Sequence, residues 1–165
     1  MAALTTGTAA PDFTLRGMDG KEFSLREALA RGPVVLAFFK ISCPVCQYTF
    51  PFLERVYKAY GNHNLTIVGV SQNEKKDTAA FLKEYGVTFP VLLDDTSRYP
   101  VSNAYGLTNV PTMFWIAQDR EIEISSVGWE RKEIEEMSRR AAEITRVGPK
   151  PVFRPNEEVP DFRAG

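Results

Sequence analysis

Cysteine occurs twice and histidine once in the 165 residues. That scarcity argues against a structural zinc, which needs four ligands drawn from two CxxC units or from one CxxC and two histidines. It also excludes a disulfide framework, and a chain of this length buries a core without one. Neither charge is in excess, since 20 Lys and Arg stand against 21 Asp and Glu. No electrostatic footprint therefore points to nucleic acid or to an anionic membrane. No run approaches the roughly 18 apolar residues of a membrane span. Residues 1–11 lack a basic segment followed by a continuous apolar one, so no signal peptide is read and a cytoplasmic setting is expected.

What is present is the alternation of an α/β protein. Residues 12–15 and 21–25 read as two strands around Gly17-Met18-Asp19-Gly20, whose Asp-Gly pair is a strong hairpin signal. Residues 26–30 form a short helix. Residues 33–39 are a continuous apolar run, the mark of a strand buried on both faces of a parallel sheet. Residues 43–60 carry Cys46, Phe50, Leu53, Val56, Tyr57 and Tyr60 at helical steps, with Pro51 as a bend and Gly61 as a stop. A strand at 65–70, a helix at 75–85, a strand at 89–93 and a short helix at 101–105 follow. Two strands, 112–116 and 121–127, flank a turn near Asp119. Residues 131–147 form an amphipathic helix with Ile134, Met137, Ala141 and Ile144 inward. Such an order implies a mainly parallel sheet with helices on both faces and an antiparallel edge from the last two strands. Residues 1–147 make the domain. Residues 148–165, interrupted by Pro149, Pro151, Pro155 and Pro160, make an extended tail. The tail is expected to bury Phe153, Val159 and Phe162 on the domain surface and not to cover Cys43.

Chemistry concentrates in Cys43-Pro44-Val45-Cys46, placed where a buried strand turns into a helix. A bridge across three positions closes too short a loop to add much chain-entropy stabilisation. The pair is therefore read as reactive, against the alternatives of a metal site short of ligands and of two incidental core cysteines. Pro44 suits the first helical position, where a missing N–H costs nothing. Cys43 then meets unpaired backbone N–H groups and the positive end of the helix dipole, which favour a thiolate. Cys46 lies one turn deeper. An exposed thiolate that attacks a disulfide and a shielded thiol that resolves the product are what dithiol exchange requires. Lys40, three residues before Cys43, would favour the thiolate further. The commoner reading of such a residue is a solvated lysine at a strand end. His63 reads as a solvated loop residue, and Trp115 and Trp129 as packing.

Over residues 9–147 the chain resembles the thioredoxin superfamily, nearest its TlpA-like and AhpC/TSA-like branch. Three stretches carry the resemblance: the opening Ala10-Pro11-Asp12-Phe13-Thr14-Leu15; the run from Val34 to Phe39 leading into Cys43-Pro44-Val45-Cys46, with Phe50-Pro51 after it; and Val110-Pro111-Thr112, which opens a later strand as the cis-proline segment does. The resemblance implies a thioredoxin-like fold: a central mixed sheet flanked by helices, with an N-terminal hairpin and a strand–helix unit inserted between Cys46 and Pro111. It implies a thiol–disulfide oxidoreductase that needs no cofactor. Its partners would be a disulfide-containing protein or small thiol substrate and a thiol reductant, with the main chain at Val110 and Pro111 binding the substrate. Two positions depart from the pattern: Thr49 stands where TlpA-like proteins often have Glu, and Ser42 where thioredoxins usually have Trp. A peroxiredoxin is the alternative, yet its P-x-x-x-[ST]-x-x-C site would place Pro and a hydroxyl where Leu36 and Lys40 stand, and an arginine near Pro111. A non-catalytic binding module on the same fold is a third reading, opposed by the presence of both cysteines.

Overall fold

The computed structural model describes residues 2–61 and 64–165; His63 lies outside the described residues. Strand β1 (Thr14–Arg16) pairs antiparallel with β2 (Glu22–Ser24), Leu15 facing Phe23. Gly20 takes a φ of 80° in the turn between them, a conformation glycine adopts without penalty. Ser24 caps helix α1 (Leu25–Leu29), its hydroxyl accepting from the Glu27 N–H.

Strand β3 (Val34–Phe39) is buried along its whole length. Its side chains alternate, Val35, Ala37 and Phe39 entering one core layer and Val34, Leu36 and Phe38 the other. It is the middle of a five-stranded sheet of order β5-β4-β3-β6-β7. Strands β4 (Thr66–Ser71) and β5 (Val91–Leu93) run parallel to it; β6 (Thr112–Ile116) and β7 (Ile122–Val127) form the antiparallel side. The apolar run is tolerated because helices cover both faces. Helices α2 (Pro44–Tyr60), α3 (Lys75–Glu84) and α5 (Arg131–Thr145) contribute to the first layer, α1 and α4 (Pro100–Ala104) to the second. A register shift between Trp115 and Ile116 skips Glu123. That bulge lets Ile124 join the first layer and Ile122 the second.

Two boundaries differ from the sequence reading for a backbone reason. The strand expected from Phe89 begins at Val91 because Pro90 has no N–H for the ladder. The Phe89 N–H instead donates to Glu54 of α2, 3.2 Å away, as does the Thr88 N–H at 2.8 Å. Helix α5 stops at Thr145, where Arg146 turns left-handed with a φ of 59°.

The tail crosses the α2–α5 face. Val152 is buried, Phe153 meets Phe52 edge-on, and Val159 packs at the core margin. The Trp129 indole N–H donates to the Pro160 carbonyl at 2.7 Å. Strand β8 (Trp129–Glu130) then pairs antiparallel with β9 (Phe162–Arg163). Phe162 was expected to be buried and is 58% exposed. Successive strand side chains point to opposite sides, and here it is Arg163, itself exposed, that lies over the Tyr48 ring. The tail's last residues reach Val110 and Pro111, on the loop that flanks Cys43.

The tail is tethered by Arg55, whose guanidinium grips both carboxylate oxygens of Glu157 at 2.7 and 2.8 Å and donates to the Val152 carbonyl. Hydrogen bonds from Arg55 and from the Arg154 N–H hold the Glu157 carboxyl down at about 2. A carboxyl depressed in the folded state stabilises above its ordinary pKa and loses that contribution as pH falls through the depressed value. Pepsin cleavage within the tail, measured relative to Glu157→Gln so that the protease's own pH dependence cancels, is therefore expected to rise as pH drops from 4.5 toward about 2. A pH profile identical in the variant would show that Glu157 is not the tether.

Candidate active site

Helix α2 begins at the reactive pair. Pro44 is its first residue and Cys43 its N-cap, with extended dihedrals (φ −87°, ψ 112°). In that position Cys43 Sγ accepts from the Cys46 N–H at 3.1 Å, and the Cys43 carbonyl receives the Gln47 N–H at 3.0 Å. A cap sulfur so placed takes one of the four orphan donors of the helix start. The loop before it is braced from two sides: the Ile41 N–H donates to Asn73 Oδ1 at 2.9 Å, and Gln47 Nε2 donates to the Ile41 carbonyl at 3.0 Å. Neither brace was singled out in the sequence, because each is a polar residue whose partner only the fold supplies.

Cys43 is partly exposed and Cys46 wholly buried, both as free thiols. Burial pushes the Cys46 thiol well up, and its hydrogen bond with Cys43 adds to this; the Lys40 backbone and ammonium pull the other way. Lys40 is exposed and forms no ion pair among the described residues.

The second wall is the loop before β6. The Val110–Pro111 peptide is cis, and Cys43 Sγ donates to the Val110 carbonyl at 3.3 Å. Thr112 Oγ1 donates back to the Asn109 carbonyl at 2.8 Å, and the Gly128 N–H to the Pro111 carbonyl at 2.8 Å, so the loop is pinned on both flanks. The fold thus brings together Cys43, Cys46, Val110 and Pro111, and leaves Lys40 at the rim. Among the described residues no group of three or more His, Cys, Asp or Glu is arranged to hold a metal ion. No helix of the described residues is long and apolar enough to cross a membrane.

Thr49, on the turn after Cys46, is fully buried, and its hydroxyl meets no partner among the described residues. A buried unpaired hydroxyl costs stability that an isosteric methyl does not. Thr49→Val is expected to raise unfolding stability by about 1 kcal/mol in a urea titration. A loss of stability would show that the hydroxyl is satisfied.

The profile of the AhpC/TSA family matches residues 6–125. The thiol-disulfide oxidoreductase ResA of Geobacillus thermodenitrificans is 31% identical over 132 residues, 79% of this chain and 74% of that protein. ResA of Bacillus subtilis is 35% identical over 121 residues, 73% of this chain and 66% of that protein. In structure the chain is similar to the thioredoxin domain of a thiol-disulfide oxidoreductase from Bacteroides vulgatus, with a TM-score of 0.74 at 21% identity, covering 84% of this chain and 98% of that one. With its five-stranded mixed sheet and its paired cysteines at a helix start, the chain belongs to the AhpC/TSA family, on the thiol–disulfide oxidoreductase branch of the thioredoxin superfamily.

Proposed function

We propose that Cys43 is the nucleophile and Cys46 the resolving thiol of a dithiol exchanger whose substrates are protein disulfides. The observation that carries this is the asymmetry of the pair: a partly exposed sulfur at the helix N-cap and a buried one a turn inside. The Cys43 thiolate attacks one sulfur of the substrate disulfide. A Cys43–substrate bond forms, the substrate S–S bond breaks, and one substrate thiolate leaves. Cys46 then gives up its proton and attacks Cys43 Sγ, closing the Cys43–Cys46 disulfide and releasing the second substrate thiol. Two electrons pass from the dithiol to the substrate, and a thiol reductant restores the pair by the reverse exchange.

The deep burial of Cys46 keeps it protonated until the mixed disulfide forms, which limits its direct contact with solutes. Val110 and Pro111 position the substrate in this reading: the Val110 N–H donates to no described residue, so an unpaired main-chain donor stands beside Cys43. Lys40 supplies positive charge at the rim. Reduction of insulin with consumption of the thiol reductant, and without consumption of hydroperoxide, is the expected behaviour. Hydroperoxide turnover that outpaces insulin reduction would favour the peroxidase alternative.

A further inference from the structure

Residues 163–165 lie against the same loop that flanks the nucleophile. The approach is close: a Cβ on Gly165 would stand 2.0 Å from the Val110 carbonyl oxygen and 3.2 Å from Pro111 Cδ. Asn109 Nδ2 donates to the Gly165 carbonyl at 3.3 Å. Behind it, Gly128 adopts a φ of 78°, and a Cβ there would meet the Arg163 carbonyl at 2.5 Å, so the chain can pass only because both positions are glycine. On the other side the Arg163 guanidinium lies 4.9 Å from the centre of the Tyr48 ring, two residues beyond Cys46 on α2. The segment therefore spans the gap between α2 and the Val110 loop, and the Val110 carbonyl is the acceptor 3.3 Å from Cys43 Sγ.

A sulfur of a protein substrate can reach Cys43 only with its own flanking backbone beside that loop. We infer that residues 163–165 are the resident occupant of the surface on which an extended substrate strand must lie, and that the segment competes with such strands. The inference rests on the exchange reading given above. The hold is slight: a two-residue pairing, one side-chain hydrogen bond and one exposed stacking contact. Weak contacts of this kind are made and broken readily, so the segment gates entry without closing it. The fit also indicates the partner, an extended peptide with small residues opposite Val110 and a cation placed to stack on Tyr48. A small disulfide needs no such strand and is not excluded by the segment.

The test compares the full chain with a form ending at Asp161. Insulin reduction by the shortened form is expected to rise about fivefold in kcat/KM, the population factor for freeing a segment held by contacts of ordinary net strength. Turnover of the neutral hydroxyethyl disulfide should stay the same. Arg163→Ala, which leaves the backbone pairing intact, should move insulin reduction in the same direction by less. A fluorescent peptide spanning residues 160–165 should bind the shortened form about fivefold more tightly than the full chain. Equal insulin rates in both forms, or a peptide that does not bind the shortened form, would overturn the inference. Failure of both forms on insulin and on hydroxyethyl disulfide alike would instead overturn the exchange reading, and the peptide measurement would still decide the occupancy.

Discussion

Cys43→Ser is expected to reduce disulfide exchange by roughly a thousandfold or more, to the background of uncatalysed thiol chemistry. A serine oxygen is not ionised at neutral pH and cannot replace a thiolate as nucleophile or leaving group. Cys46→Ser should behave differently. Its Cys43 still attacks, but nothing then displaces the substrate from Cys43, so a mixed disulfide accumulates and is seen as added mass under non-reducing conditions. The two sulfurs should also differ as targets for alkylation. Burial raises the Cys46 thiol, so its labelling at neutral pH is slow and climbs about tenfold per pH unit as the thiolate fraction grows. Mixed disulfides trapped by Cys43→Ser and absent from Cys46→Ser would reverse the assignment of roles.

Trp129→Ala is expected to cost about 4 kcal/mol of unfolding free energy, the range for truncating a large buried aromatic. Trp129 is fully buried. Its ring packs against Tyr48, Phe52 and Phe153, at centroid distances of 5.1, 5.0 and 6.1 Å. Its indole N–H is what fixes the Pro160 carbonyl. The residue thus joins α2, β8 and the tail, and its loss should both lower the denaturant midpoint and expose the tail to protease. Trp129→Phe separates the two contributions. It keeps most of the packing and gives up the single hydrogen bond, so a loss nearer 1 kcal/mol is expected. Equal losses in the two variants would mean that the hydrogen bond, and not the packing, fastens the tail. Against a total stability of about 5–15 kcal/mol for a domain, the alanine variant is severe enough to be visible in any denaturation assay.

The sequence determined by itself what depends on neighbours along the chain. The run at Val34–Phe39 specified a strand covered on both faces, because an uninterrupted apolar stretch is stable only there. Pro44 and the helical spacing after it placed Cys43 at a helix start, and the structure has it as the cap. The hairpin followed from Asp19-Gly20 and the swing of apolar residues on either side. These signals are local periodicities and local backbone constraints, and they survive without knowledge of what packs against them. The tertiary structure alone decided the rest. The contact of Cys43 with Val110 joins residues 67 positions apart, and the grip of Glu54 on Thr88 and Phe89 joins residues 34 and 35 apart. Nothing in the tail's sequence marks Val152 as buried or Phe162 as exposed, because the tail has no periodicity from which a buried side can be read. Which of its apolar residues is covered was settled by the ladder with β8 and by the Arg55–Glu157 pair. The path of residues 163–165 past Gly128 to Val110 has no sequence signature. It depends on two backbones meeting where neither has a side chain in the way, and such an encounter is a property of the folded shape.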